Sequence, residues 1–276
     1  MASAARAAST RPPAAGKQVP WRWACAGVVL GVLACIAVWA PARWLADALV
    51  WAGAPVQLHN AEGTVWNGRA QLLLYSDTQD RTALPGTLQW QLRPAWHGAL
   101  PGLRVLWQAD CCLSAPWQWH INTDLRQLQL QADDLPDIRA LRLPAAWLTG
   151  LGTPWNTLQP QGRLQLSTQG LALHASPAGV HMQGRVQLEA HDLSTSLSTL
   201  RPVGSYRVVA LGADRPTLEL STLQGALQLR GTGAIGAQGV VFDGEARAAE
   251  GREDALSNLL NIIGQRQGAR SLIHLG

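Results

Sequence analysis

Residues 61–74 read AEGTVWNGRAQLLL, and the fold turns on how this stretch is divided. Asn67-Gly68 is a strong two-residue hairpin signal. Taken as a turn, it pairs Trp66 with Arg69 and leaves Val65, Ala70, Leu72 and Leu74 on the apolar face. Taken as one strand, Trp66, Gly68, Ala70, Leu72 and Leu74 share a face, with Asn67, Arg69 and Gln71 opposite, because successive side chains alternate. Burying an aromatic side chain is worth about 1.5–3 kcal/mol, whereas a turn preference is local and easily overridden. The stretch is therefore predicted to be a single strand, in which Gly68 leaves room beside the Trp66 indole or permits a bulge. Trp66 then belongs to architecture rather than to a ligand site.

The same alternation recurs outward from it. GTLQWQLRP (86–94), LRVLWQA (103–109), WQWHI (117–121), LQLQA (128–132), GRLQLS (162–167), GRVQLEA (184–190), TLELS (217–221) and ALQLRG (226–231) all place Leu, Val or Trp against Gln, Arg, Glu or Ser. A period of two with one wet face is the pattern of antiparallel strands. Gly, Pro or Asp at intervals of roughly ten residues joins them as a meander. The prediction is a mainly β body: an extended, curved antiparallel sheet of roughly fifteen short strands with few short helices. Residues 41–52 suit a short amphipathic helix. Residues 138–151 suit helical turns interrupted by Pro144. Residues 252–264 suit an amphipathic helix with acids in its first turn, a stripe of Leu256, Leu259, Leu260 and Ile263, and Gly264 as its stop.

Upstream, positions 23–40 are uncharged and mostly apolar. Eighteen residues at about 1.5 Å each give roughly 27 Å, enough for a hydrocarbon core. Arg22 and Arg43 bound the run, and Trp21, Trp23, Trp39 and Trp44 sit where interfacial aromatics belong. Arg6, Arg11, Lys17 and Arg22 precede it without an acid, which predicts an inward N-terminus and an outward body. A cleaved signal peptide is the rival, but Pro41 directly after AVWA opposes cleavage. Gly27 and Gly31 form a GxxxG that could pair two such helices; chance in a Gly/Ala-rich helix is the plainer reading. The expected organisation is a basic tail (1–22), a transmembrane signal anchor (23–40), a Trp-rich β region (41–158) and a Trp-free β region (159–276) ending in the amphipathic helix. The last boundary follows the 13 tryptophans, all at or before Trp155.

Net charge is +4, but the tail carries four of the 22 basic residues, so the body balances 18 basic against 18 acidic side chains. No basic patch for nucleic acid follows. Cys25 and Cys35 lie in the apolar run and read as small hydrophobes. Cys111 and Cys112 are adjacent in a compartment expected to be oxidising, so they form a vicinal disulfide, an intermolecular bridge or two thiols. Adjacent Cα atoms lie about 3.8 Å apart, below the usual disulfide range.

Motifs for chemistry are few. GTGAIG (231–236) has the glycine spacing of a dinucleotide loop but no strand-to-helix context, and reads as a glycine-rich bend between strands. The seven histidines show no zinc-protease spacing, and no GxSxG elbow is present. Asp133, Asp134 and Asp137 read as a solvated turn before and after Pro136 rather than a cation site. No catalytic, cofactor-binding or metal residue is predicted, nor a small-molecule substrate. Of Trp66, Trp90, Trp96, Trp107, Trp117, Trp119, Trp147 and Trp155, most are expected in the core.

A basic tail, one uncleaved anchor, a short helix and an antiparallel β body now stand in order. Within the body come AEGTVWNGRA (61–70), LPGTLQWQLRP (84–94), and CCL with a nearby Pro-Trp (111–117). The chain resembles, over essentially its whole length, the type II secretion system protein N family, also called general secretion pathway protein N. The motif carrying the resemblance is Gly63, Thr64, Trp66, Gly68 and Ala70, with Ala61 and Glu62 before it. The resemblance implies a non-enzymatic accessory subunit in the inner membrane of a Gram-negative cell. Such a subunit serves export of folded proteins across the outer membrane. Its body would be periplasmic, and it would act by contact with other secretion subunits. The family brings no catalytic residues. The alternative is a periplasmic β-groove lipid-bridge or envelope-assembly protein with the same anchor, for which the sheet would need an open apolar groove.

Overall fold

The computed structural model describes residues 21–75, 81–97, 100–124, 127–177, 179–236 and 239–276; the basic tail before Trp21 lies outside them. The chain divides into two units, 1–39 and 40–276. The first contains helix α1, Trp21–Val38, whose mean hydropathy is 1.9 and which is long and apolar enough to cross a membrane. It begins and ends two residues before the predicted span. Helix α2, Arg43–Trp51, opens the second unit together with the short segment before it.

The rest of that unit is one antiparallel sheet. Its strands are β1 (Val56–Gly63), β2 (Asn67–Tyr75), β3 (Arg81–Ala83), β4 (Leu88–His97), β5 (Leu100–Ala109), β6 (Trp117–Thr123), β7 (Leu128–Ala132) and β8 (Leu141–Pro144). After a 3-10 segment, Ala145–Leu151, and helix α3, Trp155–Leu158, follow β9 (Gln161–Ser176), β10 (Gly179–Ser194), β11 (Gly204–Leu211), β12 (Thr217–Gly225), β13 (Leu227–Gly236) and β14 (Gly239–Ala248). Helix α4, Glu253–Ile263, precedes β15 (Gln265–Gln267) and β16 (Arg270–Leu275). Strand order follows chain order almost throughout. That is what short Gly- and Pro-bearing connections between amphipathic strands permit. Two strands are interrupted rather than out of order. β3 and β4 share one side of β2, divided at Pro85-Gly86. β7 and β8 share one side of β9. The change from Trp-rich to Trp-free sequence falls between elements of the same sheet, since β7 and β8 pair with β9.

In the later part of the body, from residue 138 on, local reading differs from the structure at three places. Residues 141–144, expected to be helical, are strand, with Leu141 buried against the core and Arg142 outward; Pro144 starts the 3-10 segment instead of breaking a helix. β9 and β10 run 16 residues each, far beyond the runs that announced them. Gly170 (φ +58°) and Gly184 (φ +87°) meet where the register shifts, and a Cβ on Gly184 would strike the Gln169 and Gly170 carbonyls. They form a bulge that lets one long hairpin continue. GTGAIG is likewise no bend but the second half of β13.

Three buried clusters line the apolar face. One gathers Leu84, Ala109, Cys112, Trp117 and Leu141 beneath β5 to β9, with the half-buried Trp107, Trp119 and Trp147 against it. The second places Leu256, Leu259 and Leu260 of α4 on Tyr206, Leu227 and Ala246. With Ile263, half-buried against the same cluster, those leucines are the predicted stripe, and the helix ends at Gly264. The third is Ala42, Ala70 and Trp90. Trp96, by contrast, is 77% exposed.

Candidate functional site

The site built around residues 61–70 begins with a tight turn. β1 and β2 form a hairpin, with Glu62 opposite Arg69 and Gly63 opposite Gly68. The corner is Val65-Trp66. Thr64 N–H donates to the Asn67 carbonyl (2.8 Å), and Asn67 N–H donates to Thr64 Oγ1 (3.1 Å). The single strand predicted through Trp66 is therefore wrong, and Asn67-Gly68 is not the turn either. The alternation from Gly68 to Leu74 does stand: Ala70 and Leu74 are buried.

The reason lies in what the turn satisfies. Residues 40–42 lie alongside it: Val65 N–H donates to the Ala40 carbonyl (2.8 Å), and Ala42 N–H donates to the Gly63 carbonyl (3.0 Å). Leu92 N–H of β4 donates to the Trp66 carbonyl (2.7 Å). Three backbone groups of the turn that would be orphaned in a loop thus have partners. Gly63, at φ +89°, is required there, since a Cβ would sit 2.5 Å from the Asn67 carbonyl oxygen.

The indole that Gly68 accommodates belongs to Trp90, not Trp66. Trp90 is 5% exposed, and its Nε1–H donates to the Val65 carbonyl (3.0 Å). Trp66 itself is half-buried. Cross-strand register carries the pairing onward, Gly68 to Trp90, Trp90 to Trp107, and Trp107 to Trp117. The rings of Trp107 and Trp117 lie 5.3 Å apart and those of Trp117 and Trp119 lie 5.1 Å apart. Both are favourable tilted geometries. A ladder of aromatics across three strands, β4 to β6, ends in two glycines, Gly68 of β2 and Gly63 of β1.

A groove of about 620 Å³ opens over this corner, lined by Asn67, Arg69, Gln89, Gln91, Leu106 and Pro116 among others. Its rim carries the Glu62–Arg69 ion pair (2.7 Å), both side chains more than 60% exposed. That pair is worth little energetically. The lining can accept hydrogen bonds and apolar contact from a chain lying across it. A second cleft, of about 550 Å³, opens where β12 and β13 diverge beyond the Leu220–Gly231 pair. Thr222 fills the gap, its hydroxyl meeting both N–H and carbonyl of Leu229. Arg230 and Glu245 pair beside it (2.7 Å), which holds the Glu245 carboxyl below its usual range.

Cys111 and Cys112 are bonded to one another in the connection between β5 and β6, their Cα atoms 3.7 Å apart. Cys112 belongs to the buried cluster and Cys111 is exposed. Both Cys112 and Leu113 N–H donate to the Ala109 carbonyl, and the Cys112 carbonyl accepts from Arg142 N–H. Gly27 and Gly31 stand one turn apart on α1 with open space where a Cβ would be. The aspartates are each engaged within the protein. Asp133 lies 3.5 Å from His120, Asp134 accepts from Gly170 N–H, and Asp137 from Arg139 N–H. Among the described residues no three His, Cys, Asp or Glu side chains gather as a metal site.

Sequence reading missed one polar constellation. Glu189 on β10 is 8% exposed and accepts from Arg207 (2.9 Å), His191 (2.9 Å) and Gln187 (3.0 Å). Burial pushes its carboxyl up, but Arg207 and His191 outweigh burial and hold it below the usual range. The signal available was Gln187, Glu189 and His191 at i, i+2, i+4 on one strand face. The cation from β11 was not adjacent in sequence.

Comparison with known proteins gives one result. The family model described as type II secretion system (T2SS), protein N matches residues 54–272, from just after α2 into β16. Searches of curated proteins and of solved structures return no match.

Proposed function

Because the chain belongs to the type II secretion system protein N family, we infer that it is a membrane-tethered accessory subunit of that system working by contact rather than catalysis. In this reading α1 anchors it in the inner membrane, the basic tail stays in the cytoplasm, and the β body lies in the periplasm. The observation that carries the reading is the extent of the family match, which takes in nearly the whole sheet. The asymmetry of charge around α1 supports the orientation. Two edges are available for partners, β1 at one end and β15 at the other. Both are blunted, β1 by a register shift after His59 and β15 by being three exposed residues long. The groove beside the first hairpin is the larger of the two clefts described and favours a docked segment of another subunit.

A lipid-bridge role calls for an open apolar groove. The packed Trp107–Trp117–Trp119 rings, with Trp147 and the α4 leucines against the same sheet, favour the contact reading instead. Photo-crosslinkers placed at Gln57 and Gln91 in secreting cells test it. Capture of other type II secretion subunits is expected; capture of only lipid or cargo overturns it.

A further inference from the structure

Helix α2 has two unlike faces. Leu45 packs on the cluster of Ala42, Ala70 and Trp90, and the helix lies against β1. On the other side Trp44 is 47% exposed, Val50 56% and Trp51 92%. Trp44 and Trp51 are seven residues, two turns, apart and so project from the same face. Two exposed indoles on one side of a nine-residue helix whose other side packs on β1 call for a covering. We propose that this face rests in the phospholipid headgroup layer, making α2 an interfacial helix that holds the first hairpin at the membrane surface.

The proposal rests on the reading that α1 crosses the inner membrane, and the chain itself names the occupant. Only residues 39–42 separate Val38 from Arg43. At roughly 3.5 Å per residue they reach about 14 Å at most. The headgroup zone on each side of a bilayer is itself about 5–8 Å deep. A tryptophan-bearing helix beginning within that reach has the headgroup layer as its neighbour, where an indole can bury its ring and keep its N–H wet. Arg43 and Asp47, both exposed on this side, cancel in charge. The attachment is therefore aromatic in origin and largely independent of salt and of anionic lipid.

The test uses the full chain labelled with fluorotryptophan in phosphatidylethanolamine–phosphatidylglycerol nanodiscs, with and without a nitroxide on the lipid headgroup. W44F and W51F assign the two resonances by fluorine NMR, and the body's unchanged resonances confirm that each variant is folded. Headgroup nitroxide is expected to broaden Trp44 and Trp51 at least about fivefold more than buried Trp90 and Trp117, at low and high salt alike. If Trp39 broadens while Trp44 and Trp51 stay sharp, the inference is overturned and the face belongs to a protein partner. If Trp39 also stays sharp, the membrane-crossing reading fails with it. Broadening of Trp44 and Trp51 that high salt abolishes overturns the aromatic account.

Discussion

The indole of Trp90 occupies the space that a side chain at Gly68 would need: a Cβ there would lie 2.8 Å from Trp90 Cε2 and 2.9 Å from the Glu62 carbonyl oxygen. The same device recurs at the far end of the sheet. Phe242, the chain's single phenylalanine, lies over Gly231 and Gly244, and a Cβ on Gly244 would meet its ring at 2.8 Å. In both cases a large ring fills a face beside a glycine of the neighbouring strand, Gly68 for Trp90 and Gly231 for Phe242, restoring the packing that a glycine in a strand lacks.

Gly68→Ala should therefore destabilise the body by about 1–3 kcal/mol through overpacking. Trp90→Ala should cost about 3–5 kcal/mol through the cavity it leaves. In the Trp90→Ala background the Gly68→Ala substitution should cost at least about 0.5 kcal/mol less, because the obstructing ring is gone. Denaturant titration of the four proteins measures the coupling; strict additivity would separate the two residues.

The Glu189 carboxylate should make stability pH-dependent in a definite direction. Its folded pKa is depressed, so its contribution is present above the ordinary glutamate value of about 4.3 and is lost as pH falls through the lower folded value. Glu189→Gln should cost about 1.5–3 kcal/mol near neutrality by removing the ionised acceptor of Arg207 and His191. Thermal unfolding followed from pH 7 downward should show the two proteins converging below about pH 4. A constant difference across that range would refute the assignment.

The Cys111–Cys112 bond closes so short a loop that it limits the unfolded chain little. The double Cys→Ser variant should lose only about 1 kcal/mol. Mass spectrometry after alkylation without reduction should find two cysteines, not four, modified in the unfolded chain. A reducible dimer on a gel would point to the intermolecular bridge instead.

Leu256, on the inner face of α4, is fully buried. Leu256→Ala should cost about 2–5 kcal/mol, whereas Ile262→Ala, at an exposed position, should change stability by about 0.5 kcal/mol or less. Equal effects on melting would show that α4 does not seal the second cluster.

Much of this architecture was legible residue by residue. Alternation marked the strands because a strand's two faces are set by a period of two wherever one face is buried. The stripe of Leu256, Leu259 and Leu260 marked α4 because spacing and docking face are both properties of a short helix. The first hairpin was misread for an equally physical reason. Weighing a buried indole against a turn signal was sound, but Trp66 was credited with the burial that belongs to Trp90, 24 positions along. The partners that stabilise the Val65-Trp66 corner are Ala40, Ala42 and Leu92, none of which a local window contains.

By itself the sequence determined the apolar span, the mainly β body and its C-terminal helix, along with the motif that carries the family. These follow from patterns within one element or between neighbours. Tertiary structure alone decided where residues 61–74 turn, which tryptophan Gly68 serves, and how Arg207 and His191 hold Glu189 ionised. Each depends on groups from different strands meeting. The free energy of such a meeting, set by excluded volume and by backbone groups that must find partners, is written in no single segment.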